Sequence, residues 1–130
     1  FCKIINKEIP GKIIYEDDVC IAFLDLSQAT YGHTLVIPKK HFDNVFDLSE
    51  DYAEEIMKAA VIVSNMLKEK LGVCDINLLN NSGKLAGQTV MHFHMHVLPR
   101  YVDDEINFHQ VDHEPNFEEL DKLYQFLTKE

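Results

Sequence analysis

The sequence contains the stretch Val90-Met91-His92-Phe93-His94-Met95-His96-Val97-Leu98, in which histidines alternate with apolar residues and which ends at Pro99. Alternation with period two is typical of a β-strand, because successive side chains of a strand point to opposite faces. The pattern therefore predicts a strand over residues 90–98, with its three histidines about 7 Å apart on one face. We expect the other face, formed by Met91, Phe93, Met95 and Val97, to lie against the core.

Three neighbouring histidines on one strand face have more than one interpretation. The plainest is a solvent-exposed polar surface. A zinc site made by all three is disfavoured, because the outer pair stands about 13 Å apart at the backbone while a Zn–N bond is about 2.0–2.1 Å long. The spacing favours a division of labour, in which His94 is a nucleophile and His92 and His96 orient and donate.

The rest of the chain predicts one domain, residues 1–130, with an α+β fold. Four further strands are expected at residues 12–15, 19–25, 33–37 and 76–79, the first two as a hairpin. A long amphipathic helix is expected between the capping residue Ser49 and the terminating Gly72. Asn116 is expected to cap a C-terminal amphipathic helix. The sequence thus predicts a mainly antiparallel sheet of about five strands, with the long helix and the C-terminal helix packed on one side.

Composition excludes several classes of function. The 130 residues include 22 acidic and 12 basic residues, for a formal net charge of −10. Such a chain repels the backbone of nucleic acids and anionic membranes, so we expect neither as a partner. No apolar run approaches the roughly 20 residues that a membrane span requires. Three widely spaced cysteines favour free thiols in a reducing compartment, so we expect a cytoplasmic protein.

The histidine stretch and its surroundings resemble a known family. Gly87-Gln88-Thr89-Val90 followed by the alternating histidines is similar to the signature of the histidine-triad (HIT) nucleotide hydrolases and transferases. The N-terminal half resembles the same family. The similar segments there are Phe1-Cys2-Lys3-Ile4-Ile5 through Ile9-Pro10, Ala22-Phe23-Leu24-Asp25, and Gly32-His33 through Lys40-His41.

The resemblance implies catalytic roles for four histidines. His94 would be the nucleophile that forms a covalent nucleotidyl-histidine intermediate. His96 would contact the α-phosphate, His92 would orient its neighbours, and His33 would belong to the same hydrogen-bonded relay. A neutral imidazole attacks through its unprotonated nitrogen, so the proton on the other nitrogen of His94 needs an acceptor, such as a backbone carbonyl. No metal is required for this step.

The resemblance also implies a binding site for a purine nucleotide. Asp25 would accept hydrogen bonds from the ribose hydroxyls. The phosphate and the leaving group would be bound by Asn81, Gly87, Gln88 and Thr89. The walls of the purine pocket would be Phe1, Ile4, Phe23 and Leu26. From composition alone these residues are equally typical of turns, loops and core, so the assignments depend on the resemblance.

A structural zinc site and a homodimer are two further implications of the family. Cys2, His41 and His92 resemble three of the four ligands of a zinc found in some bacterial relatives. The fourth ligand there is a cysteine three residues before the first. Because the sequence begins with Phe1 rather than Met, we expect a few residues to precede it, and this cysteine could be among them. Family members are usually homodimers whose sheets join, and we expect the same arrangement here.

Two branches of the family fit the sequence. The N-terminal half resembles the nucleoside phosphoramidases, which cleave a P–N bond. The segments around Gly87-Gln88-Thr89-Val90 and Val97-Leu98-Pro99-Arg100 resemble somewhat the hydrolases of dinucleoside polyphosphates, such as diadenosine tri- or tetraphosphate. We expect an adenosine phosphoramidase first and a polyphosphate hydrolase second. A non-catalytic nucleotide-binding regulator is a third possibility, disfavoured because a pure binder gains little from His94.

Overall fold

The computed structural model describes residues 1–8 and 10–129, so Ile9 of the quoted N-terminal segment lies outside the described residues. Five strands form one antiparallel sheet in the order β1-β2-β3-β5-β4. Their bounds are Ile13–Glu16 (β1), Cys20–Leu24 (β2), Thr34–Pro38 (β3), Ile76–Leu79 (β4) and Met95–Pro99 (β5). The α+β class, the five-stranded sheet and the β1–β2 hairpin are confirmed.

The long helix begins and ends where its capping residues predict. Helix α1 is a short turn at Cys2–Ile5, and α2 spans Glu50–Leu71. The Ser49 side chain accepts a hydrogen bond from the Tyr52 N–H, and Gly72 ends α2 in the left-handed conformation that glycine adopts without strain. One face of α2 is buried against the sheet, through Ile56, Ala59, Ala60, Val63 and Leu67. No described helix is both long and apolar enough to cross a membrane.

The strand predicted over residues 90–98 is wrong in its first half, because β5 begins only at Met95. The pairing of Val36 with Met95 would next place Pro38 opposite Phe93, and proline has no N–H to donate to a ladder. Phe93 instead donates its N–H to the carbonyl of Phe42, at 2.6 Å. Phe93, Met95 and Val97 still face the core, but Met91 is 54% exposed, which corrects the expectation that it would be buried.

The second face of the sheet is covered by a short helix that the sequence analysis did not predict. Apolar side chains of β2 and β3 on this face pack against Phe1, Ile4 and Ile5 of the N-terminal segment. Helices therefore lie on both sides of the sheet, which corrects the expectation that they lie on one. His96 pairs with Leu35 across the β3–β5 ladder, so the second face is also where its imidazole projects.

The C-terminal helix forms but does not pack. Helix α3 spans Phe117–Thr128, and the Asn116 side chain accepts from the Glu119 N–H as its cap. None of its described residues is buried, and its apolar side chains are exposed at Phe117, Leu120, Leu123, Tyr124, Phe126 and Leu127. The prediction that this helix packs on the sheet of its own chain is wrong. Its amphipathic pattern indicates a helix with an apolar face, and the pattern cannot specify which surface covers that face.

Candidate active site

His94 is held in the tautomer that a nucleophile needs. Its Nδ1 lies 2.7 Å from the backbone carbonyl oxygen of His92, so Nδ1 carries the proton and donates it. Nε2 is then unprotonated, with its lone pair available. The side chain is only 6% exposed, and the ring of Phe1 packs edge-on against it with centroids 5.1 Å apart. The backbone carbonyl of His92 thus fixes the orientation of the His94 ring, whereas a catalytic role for His92 stays a prediction.

A chain of hydrogen bonds fixes the protons of His33 and His96. The N–H of Ala29 donates to Nδ1 of His33 at 3.2 Å, so the proton of His33 is on Nε2. That nitrogen lies 2.9 Å from Nδ1 of His96 and donates to it. The proton of His96 is therefore on Nε2, which makes this nitrogen a hydrogen-bond donor beside His94, whose ring centroid is 4.9 Å away.

Burial keeps the two hydrogen-bonded histidines, His33 and His96, neutral. Burial, with smaller contributions from the neighbouring His94 and His33, lowers the pKa of His96 to about 4. Burial also lowers the pKa of His33, against the opposing effect of Asp25. A neutral imidazole can donate one hydrogen bond and accept another. The series of hydrogen bonds that runs from Ala29 through His33 to His96 requires both abilities of His33. Burying a polar ring is costly unless its polar atoms are hydrogen-bonded, and each of these two rings makes at least one hydrogen bond.

Asp25 lies at the end of β2, next to the His33–His96 pair. Its Oδ1 accepts from the N–H and the hydroxyl of Ser27, at 2.8 and 2.5 Å, while Oδ2 is 3.9 Å from Nε2 of His33. Burial alone would raise the pKa of Asp25, but the two hydrogen bonds from Ser27 and the nearby histidines outweigh it, so the pKa is lowered. The carboxylate is ionised at neutral pH, and Oδ2 is available to a hydroxyl group.

An apolar cavity of about 260 Å³ adjoins Asp25. Four residues predicted as walls of a purine pocket line it together with Leu35. These four are Phe1, Ile4, Phe23 and Leu26. Phe1 and Phe23 meet edge to face at 5.6 Å, and Leu26 is 94% exposed at the rim. A cavity with apolar walls and one carboxylate at its mouth suits a flat heterocycle joined to a ribose.

The four predicted phosphate-binding residues lie on the loop from β4 to β5 but differ in what they offer. The amide of Gln88 is fully engaged: it donates to the carbonyls of Asp43 and Val90 and accepts from the Gly83 N–H. The N–H of Gly87 donates to the backbone carbonyl of Lys84, in a turn that the positive φ of Gly87, 94°, permits. These two residues shape the loop. Direct contacts from them to a phosphate stay a prediction.

Asn81 and Thr89 keep free polar groups on the same loop. The Asn81 side chain lies beside Gly87, where an added Cβ would be 3.7 Å from Nδ2 of Asn81. Neither the Asn81 amide nor the Thr89 hydroxyl makes a hydrogen bond to other described residues. Both groups are therefore available to a ligand, although no contact with a phosphate has been tested.

Sequence reasoning missed two residues that hold the site in place. Asn80 donates from Nδ2 to the carbonyl of His94 at 2.9 Å, while its neighbour Asn81 was singled out instead. Gln28 donates to the carbonyls of Asp25 and His33 and accepts from the Gly32 N–H, so it fixes the turn that carries both side chains. Neither pattern is visible in the sequence, because each depends on where a backbone carbonyl lies after folding.

A second cluster contains Cys2, His41 and His92, as the resemblance implies. The thiol sulfur lies 3.8 Å from Nδ1 of His41 and 3.7 Å from Nδ1 of His92. Each Nε2 has its own partner, Asp43 for His41 and the Pro38 carbonyl for His92, so each Nδ1 keeps a lone pair turned to the sulfur. Tetrahedral zinc separates its sulfur and nitrogen ligands by about 3.5 Å. The donor set and its geometry fit such an ion, including the outer hydrogen bonds that orient metal-binding imidazoles.

The family model described as HIT domain matches residues 6–103 of the chain. The protein called hit from Bacillus subtilis (strain 168) is 46% identical over 101 residues, covering 78% of this chain and 70% of that protein. Adenylylsulfatase HINT3 of Arabidopsis thaliana is 37% identical over 100 residues, covering 77% of this chain and 51% of that protein. The chain therefore belongs to the HIT family, whose members are generally nucleotide hydrolases.

Solved structures agree with this assignment. A protein from Streptococcus mutans UA159 matches with a TM-score of 0.95 at 40% identity, covering 99% of this chain and 82% of that chain. A histidine triad nucleotide-binding protein from Candida albicans matches with a TM-score of 0.92 at 29% identity, covering 99% of this chain and 94% of that one. The fold described above is thus the fold of the family.

Proposed function

We propose that this protein is a purine nucleoside phosphoramidase, which cleaves the P–N bond at the α-phosphate through a nucleotidyl-histidine intermediate. The observation that carries the proposal is the hydrogen bond from Nδ1 of His94 to the carbonyl of His92, because it leaves Nε2 unprotonated. The same bond stabilises the imidazolium that forms after attack. An unprotonated, immobile imidazole beside a donor is the arrangement that covalent catalysis at phosphorus requires.

The nucleoside binds on the β2–β3 side of His94. Its base enters the cavity that Phe1, Ile4 and Phe23 line, and its ribose hydroxyls donate to Asp25. A substrate anchored at the base and the sugar places its α-phosphate beside His94 and His96, since the His94 ring packs against Phe1 of the cavity wall and the His96 ring lies next to it. Such anchoring contributes to the rate by fixing the reacting atoms in position.

In the first step, the lone pair of His94 Nε2 forms a bond to phosphorus. The P–N bond of the substrate breaks, its electron pair stays on the departing amine, and the amine takes a proton from solvent. Nε2–H of His96 donates a hydrogen bond to a non-bridging oxygen, whose charge it stabilises. The Asn81 amide and the Thr89 hydroxyl are the further donors proposed for the phosphate.

In the second step, water attacks phosphorus and the N–P bond to His94 breaks. The water loses its proton to solvent, the nucleoside monophosphate leaves, and the lone pair returns to Nε2 of His94. The hydrogen bond between His94 and the His92 carbonyl persists through both steps, so the enzyme is restored without a change of tautomer.

The substrate class is tested by comparing kcat/KM for adenosine phosphoramidate, diadenosine tetraphosphate and adenylylsulfate. The proposal predicts the highest value for the phosphoramidate, and loss of its turnover in His94→Ala but not in His113→Ala, an exposed histidine outside the site. A higher value for diadenosine tetraphosphate would assign the protein to the polyphosphate hydrolases. Tight binding of adenosine monophosphate with no turnover of any compound would indicate a nucleotide-binding regulator.

We also propose that Cys2, His41 and His92 hold a structural zinc ion. The fit of the three donor atoms supports this, and bound zinc would attach the N-terminal segment to the loop that follows β3. Metal analysis of the full-length protein should find about one zinc per chain, lost in Cys2→Ser and kept in Cys74→Ser. A folded protein with less than half an equivalent would contradict the proposal.

A homodimer in the cytoplasm is the remaining part of the proposal. The outer edge of β4 has no partner strand within the described chain, and the apolar side chains of α3 are exposed. A second copy would cover such surfaces, and the three free cysteines suit a reducing compartment. Light scattering should give twice the chain mass. Leu123→Glu on the apolar face of α3 should lower that mass more than Lys122→Glu on its polar face, and a monomeric wild type would contradict the dimer.

A further inference from the structure

The turn between β2 and β3 contains a residue in a disfavoured backbone conformation. Gln28 has a φ of 44°, in the left-handed region that residues other than glycine rarely adopt. Among the described residues other than glycine, only Lys7 and Gln28 have a positive φ. Strained conformations persist only where the surrounding contacts enforce them, and they are frequent at functional sites. The contacts of Gln28 therefore indicate what its conformation achieves.

The Gln28 side chain makes three hydrogen bonds to the backbone of its own turn. Its Nε2 donates to the carbonyl oxygens of Asp25 and His33, at 2.6 and 2.8 Å. Its Oε1 accepts from the Gly32 N–H at 2.9 Å. One amide group thus joins the first and last residues of the turn. These bonds offset the strain at Gln28 and hold the backbone in one conformation.

The residue after Gln28 supplies the hydrogen bond that sets the tautomer of His33. The Ala29 N–H donates to Nδ1 of His33 at 3.2 Å, at the long end of the usual range, so a small reorientation would break the bond. The peptide group that carries this N–H joins residues 28 and 29, so the backbone dihedral angles of Gln28 set its direction. The left-handed conformation of Gln28 therefore directs the N–H at the ring.

The opposite tautomer of His33 would remove the donor that the proposed reaction uses. With its proton on Nδ1, His33 would present a lone pair at Nε2, and Nδ1 of His96 would have to donate to it across the same 2.9 Å. The Nε2 of His96 would then be unprotonated. A lone pair in place of an N–H would face the non-bridging oxygen of the phosphate, and repulsion would replace stabilisation.

We propose that Gln28 is a positioning residue, which selects the tautomers of the His33–His96 pair by orienting the N–H of the residue that follows it. This inference rests on the proposed function, since it concerns the donor that His96 offers to the phosphate. Nucleotide binding through Asp25 should persist without Gln28, because the N–H and the hydroxyl of Ser27 orient that carboxylate. Loss of the Gln28 amide should therefore lower kcat about five- to tenfold, the factor that corresponds to one neutral hydrogen bond, and change KM little.

The test records nitrogen NMR spectra of the imidazole rings in wild type, Gln28→Ala and Gln28→Gly, together with kcat and KM for adenosine phosphoramidate. Wild type should show His33 with its proton on Nε2 and a hydrogen-bonded lone pair on Nδ1. In both variants the Nδ1 signal should shift, because its donor has turned away, and the fraction with the proton on Nδ1 should rise. Glycine adopts either sign of φ without strain, so Gln28→Gly removes the amide without adding strain that could unfold the chain.

The matched control is Thr30→Val in the same turn. The Thr30 hydroxyl is buried and has no hydrogen-bond partner among the described residues. Valine keeps the branched shape of the side chain and removes the unpaired polar atom, which is costly to bury. The control should therefore show wild-type ring signals and kcat, with an equal or higher melting temperature.

Two results would overturn the inference: a proton on Nδ1 of His33 in wild type, or unchanged ring signals in Gln28→Gly, even if kcat falls. The spectra do not depend on turnover. A wild type that shows the expected tautomers but consumes no phosphoramidate would therefore contradict the proposed function, while shifted signals in the variants would still support the role of Gln28. Shifted signals together with a lower kcat in both variants would support the two proposals at once.

Discussion

The two faces of the sheet are built on different principles. Between α2 and the sheet lie aliphatic side chains, such as Val63 of the helix and Val36 and Val97 of the strands, which fit by shape and need no partner atoms. The opposite face carries His33, whose two nitrogens are both hydrogen-bonded, and His96, whose Nδ1 accepts from His33 while its Nε2–H has no partner among the described residues. Apolar packing tolerates any side chain of suitable volume, whereas a buried imidazole is acceptable only if its nitrogens are matched.

The comparison teaches where stability and chemistry reside in this protein. Changes under α2 should affect the free energy of unfolding and leave the reaction intact. Changes among the histidines should affect the reaction more than the fold. The predictions below test this separation.

The largest expected effect is on the reaction, from His96→Gln. The variant removes the Nε2–H donor proposed to stabilise charge on the phosphate, so kcat for adenosine phosphoramidate should fall about 10²–10³-fold. The melting temperature should change by only a few degrees, because a neutral polar side chain replaces another. His113→Gln is the control. A fall in melting temperature of much more than a few degrees in His96→Gln would contradict the separation of stability and chemistry between the two faces.

Leu67→Ala should show the opposite behaviour. Leu67 lies on the buried face of α2 and is 5% exposed, and its truncation leaves a cavity that lowers the free energy of unfolding by about 3 kcal/mol. Activity per folded molecule should stay close to wild type. Urea denaturation and kinetics below the unfolding transition measure the two quantities, with Met57→Ala, 44% exposed on the same helix, as the control. Loss of activity in the folded variant would show that the faces are coupled.

The pH dependence of stability should reflect protonation of His96 and His33 on the histidine-bearing face of the sheet. Burial lowers the pKa of His96 from 6.5 to about 4, so the unfolded chain binds its proton more readily than the folded one. Stability should therefore fall as pH falls from about 6.5 to about 4, and the lowered pKa of His33 acts in the same direction. The lowered pKa of Asp25 contributes only below this window.

Thermal melts across that window test the assignment. The decline should be shallower in His96→Gln, which has no proton to gain, and unchanged in His113→Gln. An equal decline in wild type and His96→Gln would mean that other groups control stability in acid.

The smallest predicted effect comes from Asn80→Ala, which removes the hydrogen bond to the carbonyl of His94. A single neutral hydrogen bond contributes about 1 kcal/mol, so kcat should fall about five- to tenfold with little change in KM. Asn65→Ala, which removes a side-chain hydrogen bond on α2, is the matched control and should leave kcat unchanged. An unchanged kcat in Asn80→Ala would mean that β5 alone positions the nucleophile.

The elements that the sequence predicts well are those defined by local signals. Ser49 and Gly72 mark both ends of α2, and the period-two pattern places Phe93, Met95 and Val97 against the core. Each signal depends on neighbours along the chain, and none needs a distant partner. The same holds for the cap at Asn116.

The features that the sequence did not predict depend on distant partners. The early end of the ladder before Met95 follows from Pro38 lying opposite Phe93, a pairing set by the register of β3. Helix α3 has an apolar face that the rest of the described chain does not bury. The tautomer of His94 was expected to need a backbone carbonyl, but only the folded structure identifies it as that of His92.

Trapping the intermediate tests the central claim most directly. After brief exposure to adenosine phosphoramidate and an acid-free quench, mass spectrometry of the peptide containing residues 92–96 should find one adenylyl group, attached to His94. His94→Ala should carry none. An adenylyl group on His96 or His92, or its absence from wild type while substrate is being consumed, would contradict the assignment of His94 as the nucleophile.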